Sequence, residues 1–517
     1  MNNEYLAYKK WQPFLLGLCA AIGMFGGYKL KLAESNNIAS HKDKDPSYFV
    51  HQKTQDALSY IQTKYVDSLK NEALSEFLIS QLTYALDPYS EYISANHLQE
   101  YMDEMDGGYQ GIGMEYQLIH DKLIVSKIIS QGPISKTAIA LGDEILSINN
   151  HVINFQNSKS DSINAFIKAS NDTIDLVWKK QLNAEVTKSK VIRENIETST
   201  IGTVFSPYDK AIYIKIKLFG DRTYREFMEV LENYVFEHKC TNLILDLRDN
   251  QGGLVHIAAD ILNQLVQEKD VLLFRTSGRQ VISKEYKSLG KPFFKLNKII
   301  VLINEKTASA AEIVAGSLQD LNLATIIGTP SFGKGTILEQ FNLADGAALR
   351  IATSRIYLPS GRCIQKSYNQ SADSISNWLS PFRSDTNSIL ISNGKKIING
   401  QAIYPDLLVS NPVVEPNSSD DVKDIALKLA LNNIQSLKNL IGDDVEKIDD
   451  KTIDLFLKTK LKDWENSTTK QNHFDWIIEE SKFAITNLLF GEDMEQRASL
   501  NQDEVMLTAL NLLKNNK

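Results

Sequence analysis

The sequence predicts an α/β core that lies between two helical regions and follows a small β-rich domain. Between residues 196 and 410, buried-strand patterns alternate with helical patterns, which is typical of a parallel sheet covered by helices. Short β-like runs separated by glycine turns occupy residues 106–195. Apolar residues recur at helical spacing from 46 to 105, and the chain again has a helical pattern, with mixed charge, from 411 to 517.

Near the N-terminus, residues 14–28 carry no charge and follow Lys9 and Lys10. This segment is shorter than the roughly 20 apolar residues of a spanning helix and is typical of the apolar part of a signal peptide. Because no clear cleavage site follows, residues 1–30 are predicted as an uncleaved signal anchor, with a cleaved signal peptide as the alternative. Beyond a polar linker at 31–45, the chain would then lie outside the cytoplasm, anchored at the periplasmic face of the membrane or released into the periplasm.

Composition narrows the classes of function. The net charge is −8, and no basic run is longer than a doublet, which disfavours a nucleic-acid-binding protein. The three cysteines, Cys19, Cys240 and Cys363, form no CxxC pair and no metal-binding spacing. The sequence therefore predicts no metal, no cofactor and no nucleic-acid partner, and the spacing does not demand a disulfide between Cys240 and Cys363.

Local signals place the elements before the core. The helical pattern of residues 46–105 is interrupted by the DPYS sequence at 87–90, because proline stops a helix. The β-rich segment then opens with a glycine-rich stretch, GGYQGIG, at 107–113. Its predicted strands are 123–125, 145–148 and 174–178.

Within the core, four apolar runs are predicted as buried strands, and helical patterns lie between them. A Ser/Asn-rich stretch at 366–396 is predicted as a long surface excursion. The predicted strands are 211–216, 243–247, 299–303 and 324–327, and the predicted helices are 224–236, 255–266 and 312–321.

The densest chemical signal is TASAAE at residues 307–312, between a predicted strand and a predicted helix. Ser309 and Glu312 fit a capping box, in which each side chain binds a backbone N–H at the start of the helix, and this structural role is the simpler interpretation. The same position also suits a nucleophile, because unpaired N–H groups and the helix dipole can stabilise an oxyanion there.

A second signal is FGKG at residues 332–335, where Lys334 lies between two glycines. A surface lysine in a turn would look the same. A catalytic lysine must be neutral, and burial can lower its pKa by several units from about 10.4. Lys334 would then accept the proton of a serine, as in Ser-Lys nucleophile–base pairs.

A third signal is LDLRDNQGG at residues 245–253, where a buried strand runs into a Gly-Gly turn. The N–H groups of Gly252 and Gly253 could complete an oxyanion hole, although a strand–turn–helix joint with an Asp/Arg pair is the structural alternative. A Ser-His-Asp triad is disfavoured, since only His238 and His256 fall within the core.

A phosphate-binding loop is the remaining alternative for the lysine motif. The spacing of Gly328, Gly333 and Lys334 fits such a loop after a strand. However, Gly335 occupies the position at which a serine or threonine must bind Mg²⁺. The spacing therefore disfavours nucleotide binding.

Together, the three motifs resemble the carboxyl-terminal processing (tail-specific) peptidases, which carry SASAxE, FGKG and LDLRxNxGG motifs. The step of 25 residues from Ser309 to Lys334 also matches that family. The resemblance covers about residues 46–410. Further stretches that resemble the family are YVDS at 65–68, LDPYS at 86–90, GYQGIG at 108–113, YLPSGR at 357–362 and IYPD at 403–406.

This resemblance implies a crotonase-like α/β protease core at 196–410, an N-terminal helical region at 46–105 and a PDZ domain at 106–195, and it leaves the helical region at 411–517 unassigned. It implies a serine endopeptidase that cleaves exported proteins near their C-terminal tails with help from the PDZ domain. The PDZ loop of Gly111, Ile112 and Gly113 would receive the carboxylate of the tail. Expected partners are protein substrates with free C-terminal tails, the membrane through the N-terminal anchor, and further copies of the chain in a homo-oligomer.

Carried over residue by residue, the resemblance implies that Ser309 is the nucleophile and Lys334 the general base. The N–H of Ala310, together with that of Gly252 or Gly253, would bind the oxyanion.

One position departs from the family pattern. The family usually has glutamine four residues after the lysine, where it orients the amine, but this chain has Leu338. Gln340 shares a strand face with Leu338 but lies about 6.6 Å further along, so it would replace the glutamine only if the strand shifts. The departure leaves open a second interpretation, a PDZ-bearing binding protein whose protease core is weakened or inactive.

Overall fold

The structure is a computed structural model that describes most of the chain from residue 46 onward. The predicted anchor and linker, apart from two short stretches, and residues 411–473 of the predicted C-terminal region lie outside the described residues. In the described part of the chain, no helix combines the length and the apolar character needed to cross a membrane. The described residues are 17–18, 23–24, 46–105, 108–119, 122–129, 132–153, 172–181, 183–208, 210–366, 389–392, 395–410, 474–490 and 492–514.

The chain separates into two compact units, Met1–Ile79 and Ser80–Lys517. Helix α1 spans Pro46–Lys64 in the first unit. Helix α2 spans Asn71–Leu86. It ends directly before Asp87, which confirms the predicted stop at the DPYS sequence.

A β-rich domain follows strand β1 and helix α3. Its main sheet is antiparallel, in the order β3-β4-β5-β7-β8, with β6 on β5. Along β7, buried residues alternate with more exposed ones, so one face of the sheet covers the core of the domain. Strands β2 and β9 pair with each other and tie the start of the domain to its end, two residues past the predicted boundary at 195. The elements are β1 (Glu91–Ile93), α3 (Ala95–Met105), β2 (Gly108–Gly111), β3 (Met114–Ile119), β4 (Lys122–Ile128), β5 (Glu144–Ile148), β6 (His151–Val152), β7 (Thr173–Lys179), β8 (Val186–Ile192) and β9 (Glu194–Glu197).

The core is built on a six-stranded sheet in the order β10-β11-β12-β15-β16-β21, which is parallel from β11 to β21. The apolar runs predicted as strands form β11, β12, β15 and β16. Strands buried on both faces are mainly apolar, and these runs fit that pattern apart from Lys215 in β11, Asp246 in β12 and Thr325 in β16. The elements up to β16 are β10 (Ile201–Tyr208), β11 (Ala211–Ile216), α4 (Thr223–Glu232), β12 (Asn242–Asp246), α5 (Val255–Leu265), β13 (Lys269–Ser277), β14 (Lys284–Leu289), β15 (Lys298–Ile303), α6 (Ala310–Asp320) and β16 (Ala324–Gly328).

A second sheet positions the loop that carries Lys334. Strand β18 is its centre and pairs with β1, β13 and β17. Because β1 directly follows the DPYS turn, its pairing with β18 brings this turn to the α/β core. The remaining strands are β17 (Thr336–Asn342), β18 (Ala348–Tyr357), the hairpin β19 (Ile389–Ser392) and β20 (Lys395–Ile398), and β21 (Leu407–Leu408).

In the described part of the predicted C-terminal region, residues 474–490 and 492–514, the α-helices are α7 (Phe474–Phe490), α8 (Glu492–Ser499) and α9 (Glu504–Lys514). Both faces of the parallel sheet are covered by helices. Helices α4, α5 and α6 pack on one face, against side chains such as Leu245 and Val301. Helix α9 covers the other face, where its apolar side chains meet those of Tyr213 and Ile300. The C-terminal segment is thus part of the core packing.

The two cysteines of the core, Cys240 and Cys363, are buried free thiols. The Cys240 thiol donates to the carbonyl oxygen of Ala211 over 3.5 Å. Burial raises the pKa of the Cys363 thiol. These two thiols form no disulfide.

Candidate active site

Ser309 lies at the junction between the loop after β15 and helix α6, which begins at Ala310. Its φ of 54° and ψ of −116° are rare for any residue except glycine, and such strained conformations concentrate at functional sites. The backbone N–H of Ser309 donates to Oε2 of Glu312 over 2.9 Å, so the glutamate half of the predicted capping box is present. The strained turn is held by this bond at the start of the helix.

The Glu312 carboxylate joins the serine motif to the lysine motif. Its Oε2 accepts the backbone N–H groups of Ser309 at 2.9 Å and Lys334 at 2.8 Å. Its Oε1 accepts the Ser331 hydroxyl at 2.5 Å and the Gly333 N–H at 2.7 Å. Glu312 is fully buried, and burial raises its pKa even though these four donors favour the charged form. One buried carboxylate therefore fixes the backbone at both residues of the predicted dyad.

The side chain of Lys334 is largely withdrawn from water. Its amine lies 4.9 Å from the centroid of the Tyr89 ring. Burial lowers the pKa of Lys334, against the attraction of the carboxylates of Glu91, Asp87 and Glu312. The shift has the direction that a general base near neutral pH requires.

The Gly252 backbone lies directly against Ser309. A Cβ atom added at Gly252 would come within 2.7 Å of the Ser309 Cβ and 2.9 Å of the Ala310 nitrogen, so this approach requires glycine. The N–H of Gly252 donates to Oδ1 of Asn250 over 2.8 Å and is therefore already engaged. Among the described residues, the N–H groups of Gly253 and Ala310 have no hydrogen-bond acceptor. Of the two glycines that the sequence offered, Gly253 is the one whose N–H is still available for an oxyanion.

The strand that leads to this turn ends in a buried ion pair. Asp246 is fully buried, and its carboxylate accepts the Tyr213 hydroxyl at 2.6 Å and Nη2 of Arg248 at 2.6 Å. The backbone N–H of Arg248 also donates to Oδ1 of Asp246, at 2.9 Å. Burial opposes ionisation of Asp246, but the Arg248 guanidinium holds the pKa of that carboxyl below its ordinary value. The Asp/Arg pair noted in the sequence therefore braces the start of the glycine turn.

Neither Leu338 nor Gln340 supplies an amide to Lys334. Leu338 lies in β17, partly buried, opposite Ala352. The pairing of β17 with β18 shifts by one residue just before Leu338. Gln340 is nevertheless exposed, and its Nε2 donates to Oδ1 of Asn342 over 3.0 Å. No hydrogen bond joins Gln340 to Lys334 in the described structure.

Tyr89 and Gln365 border the lysine instead, and the sequence analysis assigned neither to the site. Gln365 is buried, and its Oε1 accepts the N–H of Gly335 at 2.9 Å, directly after Lys334. Its side chain also forms a hydrogen bond with the Tyr89 hydroxyl. Tyr89 belongs to the DPYS sequence, which therefore carried a signal for the site as well as for the end of α2.

The DPYS turn that presents Tyr89 is itself fixed. Oδ1 of Asp87 accepts the N–H groups of Tyr89 at 2.8 Å and Ser90 at 2.7 Å. The Ser90 hydroxyl donates to Oδ2 of Asp87 at 2.7 Å and accepts the Ala352 N–H of β18 at 3.2 Å. Tyr89 is thus held above the lysine loop by a buried aspartate and by the second sheet.

The predicted tail-binding loop lies in the β-rich domain. The carbonyl oxygens of Ile112 and Gly113 accept the N–H groups of Ile134 and Ile129, both at 2.9 Å. Gly113 has a φ of 75°, and its Cα packs against Gly132, which leaves no room for a side chain. Among the described residues, the N–H groups of Ile112 and Gly113 have no acceptor, and no hydrogen bond links this loop to Ser309 or Lys334.

Two segments of the chain match known protein families. Residues 210–371 match the model of peptidase family S41, and residues 101–179 match the model of the PDZ domain. The first segment contains the three motifs around Ser309, Lys334 and Gly252. The second begins a few residues before the predicted start at 106 and ends before the predicted end at 195.

Individual relatives are consistent with these matches. A carboxy-terminal-processing protease of Bartonella bacilliformis is 28% identical over 313 residues, 60% of this chain and 71% of the relative. The carboxy-terminal processing protease CtpB of Bacillus subtilis is 28% identical over 332 residues, 61% of this chain and 65% of the relative. Among solved structures, a photosystem II D1 C-terminal processing protease is 19% identical, with a TM-score of 0.39, and covers 70% of this chain and 87% of its own. The resemblance seen in the sequence is thereby confirmed: residues 210–371 match peptidase family S41, residues 101–179 match the PDZ domain, and the chain is similar to carboxy-terminal processing proteases.

Proposed function

We propose that the chain is a serine endopeptidase with a Ser309–Lys334 dyad that cleaves exported proteins near their C-terminal tails. The observation that carries the proposal is the position of Glu312, whose single Oε2 accepts the backbone N–H groups of both dyad residues. A purely structural capping box would not need to bind the lysine loop. The lowered pKa of Lys334 supports the same assignment.

In the proposed reaction, neutral Lys334 accepts the proton of the Ser309 hydroxyl as its oxygen attacks the substrate carbonyl carbon. The N–H groups of Ala310 and Gly253 bind the oxygen that becomes negative. The ammonium then donates its proton to the leaving amine, which leaves an ester on Ser309. Lys334 then removes a proton from water as the water attacks this ester, and it returns the proton to the Ser309 oxygen as the acid product leaves, so that both residues are restored.

The PDZ domain is proposed to select the substrate by its C-terminus. The free N–H groups of Ile112 and Gly113 suit a carboxylate, and an extended tail can add to the edge of a sheet. The matches to peptidase family S41 and to the PDZ domain support protein substrates in general. A substrate whose terminal carboxylate is blocked should therefore bind more weakly.

The cellular setting of this activity is also a proposal. The uncharged residues 14–28 behind Lys9 and Lys10 support export with an uncleaved anchor, at the periplasmic face of the cytoplasmic membrane. A cleaved signal peptide would instead release the chain into the periplasm. Assembly into a homo-oligomer and the crotonase-like class of the core are further expectations from the family.

The experiment compares wild type with Ser309→Ala on two peptides of one sequence, one with a free C-terminal carboxylate and one amidated. We expect wild type to cleave the free-tail peptide at a lower KM than the amidated one, and Ser309→Ala to cleave neither. Equal turnover by wild type and Ser309→Ala would rule out the proposed nucleophile. Equal KM values for the two peptides would rule out tail selection but not the protease.

A second candidate function is tail binding without proteolysis. It is favoured by Leu338 and by the exposed Gln340, which leave the lysine without the amide that the family usually has. In this case wild type would bind the free-tail peptide as tightly as Ser309→Ala does, and neither would cleave it. The same two proteins and two peptides therefore distinguish the candidates.

A further inference from the structure

Asp503 connects the C-terminal segment to the loop of the candidate oxyanion site. Its Oδ1 accepts the N–H groups of Val505 at 2.9 Å and Met506 at 3.1 Å, so it caps the start of helix α9. Its Oδ2 accepts Nη1 of Arg248, which lies 255 residues earlier in the chain. One side chain thus holds the end of a helix and a residue of the LDLRDNQGG motif.

Arg248 is placed between two carboxylates. Its Nε and Nη2 bind Asp246 at 3.0 and 2.6 Å, while Nη1 binds Asp503. The side chains of Arg248 and Asp503 are 13% and 10% exposed, and that of Asp246 is completely buried, so solvent screens the network only weakly. Removal of one partner would leave a buried guanidinium nitrogen without an acceptor.

The backbone after Arg248 leads directly to the oxyanion turn. Asp249 has a φ of 64°, and its N–H donates to Oδ1 of Asn304 over 3.0 Å. The carbonyl oxygen of Asn250 accepts the N–H of Ala308, the residue before Ser309, at 2.9 Å. A shift of Arg248 would therefore be transmitted within a few residues to Gly253 and to the serine loop.

Helix α9 is anchored on the sheet mainly by apolar contacts. Val505, Met506, Ala509 and Leu513 are buried against the face formed by β11, β12, β15 and β16. At the carboxyl ends of these strands the packing opens into a cleft of about 590 Å³, lined in part by Lys215, Arg248, Asn304 and Asp503. Arg248 and Asp503, which are bonded to each other, both line this cleft.

We propose that Asp503 is a positioning residue for the protease reaction. Through Arg248 it holds the 248–253 loop in the conformation in which the N–H of Gly253 can bind the oxyanion. Docking of residues 500–514 thereby completes the active site. This inference rests on the proposed function. It assigns a role to a segment that lies beyond residues 210–371, the range that matches family S41. A small displacement of an oxyanion donor acts on the transition state, so its effect falls on kcat rather than on KM.

The test uses Asp503→Asn in the full chain. Asparagine caps a helix as well as aspartate does, so α9 keeps its N-cap while Arg248 loses the charged acceptor. The matched control is Glu504→Gln, which removes one negative charge from the next, exposed position of the same helix end. Ser309 is titrated with a fluorophosphonate, and kcat is calculated per active site, so that a loss of folded protein does not count as a loss of rate.

For Asp503→Asn we expect kcat per titrated site to fall about tenfold, since a misplacement far from the chemistry lowers the rate by up to about 100-fold. KM should stay within about twofold and the unfolding midpoint within a few degrees of wild type. Glu504→Gln should match wild type in kcat. When Asp503→Asn is added to Arg248→Lys, kcat should be less than about twofold lower than in Arg248→Lys alone, because both changes act through one contact.

Two results would overturn the inference: a kcat of Asp503→Asn equal to that of wild type, or a full tenfold further loss in the Arg248→Lys background. Either leaves the protease assignment intact. If wild type itself shows no turnover that depends on Ser309, the proposed function fails first, and the positioning role fails with it. The two failures are therefore distinguishable in one set of assays.

Discussion

The amine of Lys334 lies over the ring of Tyr89, with 4.9 Å between the nitrogen and the ring centroid. The ring acts on the lysine in two opposing ways. It keeps water away from the amine, which lowers the pKa, and its π face attracts the ammonium form, which raises the pKa. Because burial lowers the pKa of Lys334, we expect shielding by the ring to be the stronger effect.

Replacement of Tyr89 by alanine should therefore raise the pKa of Lys334 toward its ordinary value, as water reaches the amine. As the proposed base, Lys334 accepts a proton only in its neutral form, so activity should rise as pH passes through this pKa from below. The acid limb of kcat/KM should move upward by about one pH unit, and activity below the pKa should fall about tenfold. The pH profile of cleavage of the free-tail peptide measures this shift.

Tyr89→Phe serves as the control because it keeps the ring and loses only the hydroxyl that binds Gln365. Its acid limb should stay close to that of wild type. A limb that moves to lower pH in Tyr89→Ala would show that attraction to the ring, rather than shielding, dominates.

The elements of the core could be predicted from the sequence because buried parallel strands leave a local signal. The apolar run at 299–303 lies in Lys298–Ile303, and that at 243–247 overlaps Asn242–Asp246. The capping pattern around Ser309 likewise marks the start of helix α6, which begins at Ala310, two residues before the predicted 312. The family motifs then placed Ser309 and Lys334 in one site, which periodicity alone does not do.

The supporting contacts of the site could not be predicted, because they join residues far apart in the chain. Tyr89 lies 245 positions before Lys334, and nothing in either local pattern shows that they meet. Glu312 was assigned only to the helix cap, although its second oxygen binds Ser331 and Gly333. Asp503 lies in a segment without any recognised motif, and only folding brings it to Arg248.

Glu312→Gln should abolish most activity and destabilise the fold. Glutamine has the same shape, but its NH2 group donates hydrogen bonds where one carboxylate oxygen accepted two. In one orientation of the amide, the NH2 group faces the N–H groups of Ser309 and Lys334. In the other orientation, it faces the hydroxyl of Ser331 and the N–H of Gly333. We expect a loss of about 2–4 kcal/mol in the free energy of unfolding, from buried donors left unsatisfied. We also expect kcat to fall about 100-fold, because the two dyad residues lose their common anchor.

Denaturant unfolding and the rate of Ser309 labelling measure these two effects separately. Glu305→Gln provides a control of the same chemistry at an exposed position in the loop before Ser309. A Glu312→Gln protein that labels at the wild-type rate would show that the shared carboxylate is not needed to align the dyad.

Gly252→Ala should abolish the proposed peptidase activity by displacing Ser309. The added Cβ would lie 2.7 Å from the Ser309 Cβ, and the φ of 101° is itself unfavourable for alanine. Gly361→Ala separates these causes, because Gly361 has a φ of 85° but open space around its Cβ position. Both variants should lose about 1–2 kcal/mol of stability from the backbone conformation, whereas only Gly252→Ala should lose kcat, by about 100-fold. Equal kcat losses in the two variants would contradict the close approach of Gly252 to the nucleophile.

Leu338→Gln restores the amide that the family usually has four residues after the lysine. The amide oxygen can accept a hydrogen bond from the Lys334 amine and orient it toward Ser309, which Leu338 cannot do. Because the same oxygen also stabilises the ammonium form, it raises the pKa of Lys334. We therefore expect the plateau rate of Ser309 labelling at high pH to rise severalfold, which corresponds to one added hydrogen bond of about 1 kcal/mol. We also expect the acid limb of the labelling rate to move to higher pH, because the pKa of Lys334 rises.

The pH dependence of fluorophosphonate labelling measures both quantities in one experiment, and Leu338→Met is the control because it keeps an apolar side chain of similar volume. A higher plateau in Leu338→Gln alone would show that the wild-type lysine is imperfectly oriented and that its activity is limited at this position. A plateau labelling rate equal to that of wild type, with an acid limb that still moves to higher pH, would contradict this prediction. The moved limb would show that the added amide reaches the Lys334 amine. The unchanged plateau would show that Tyr89 and Gln365 already orient this amine fully.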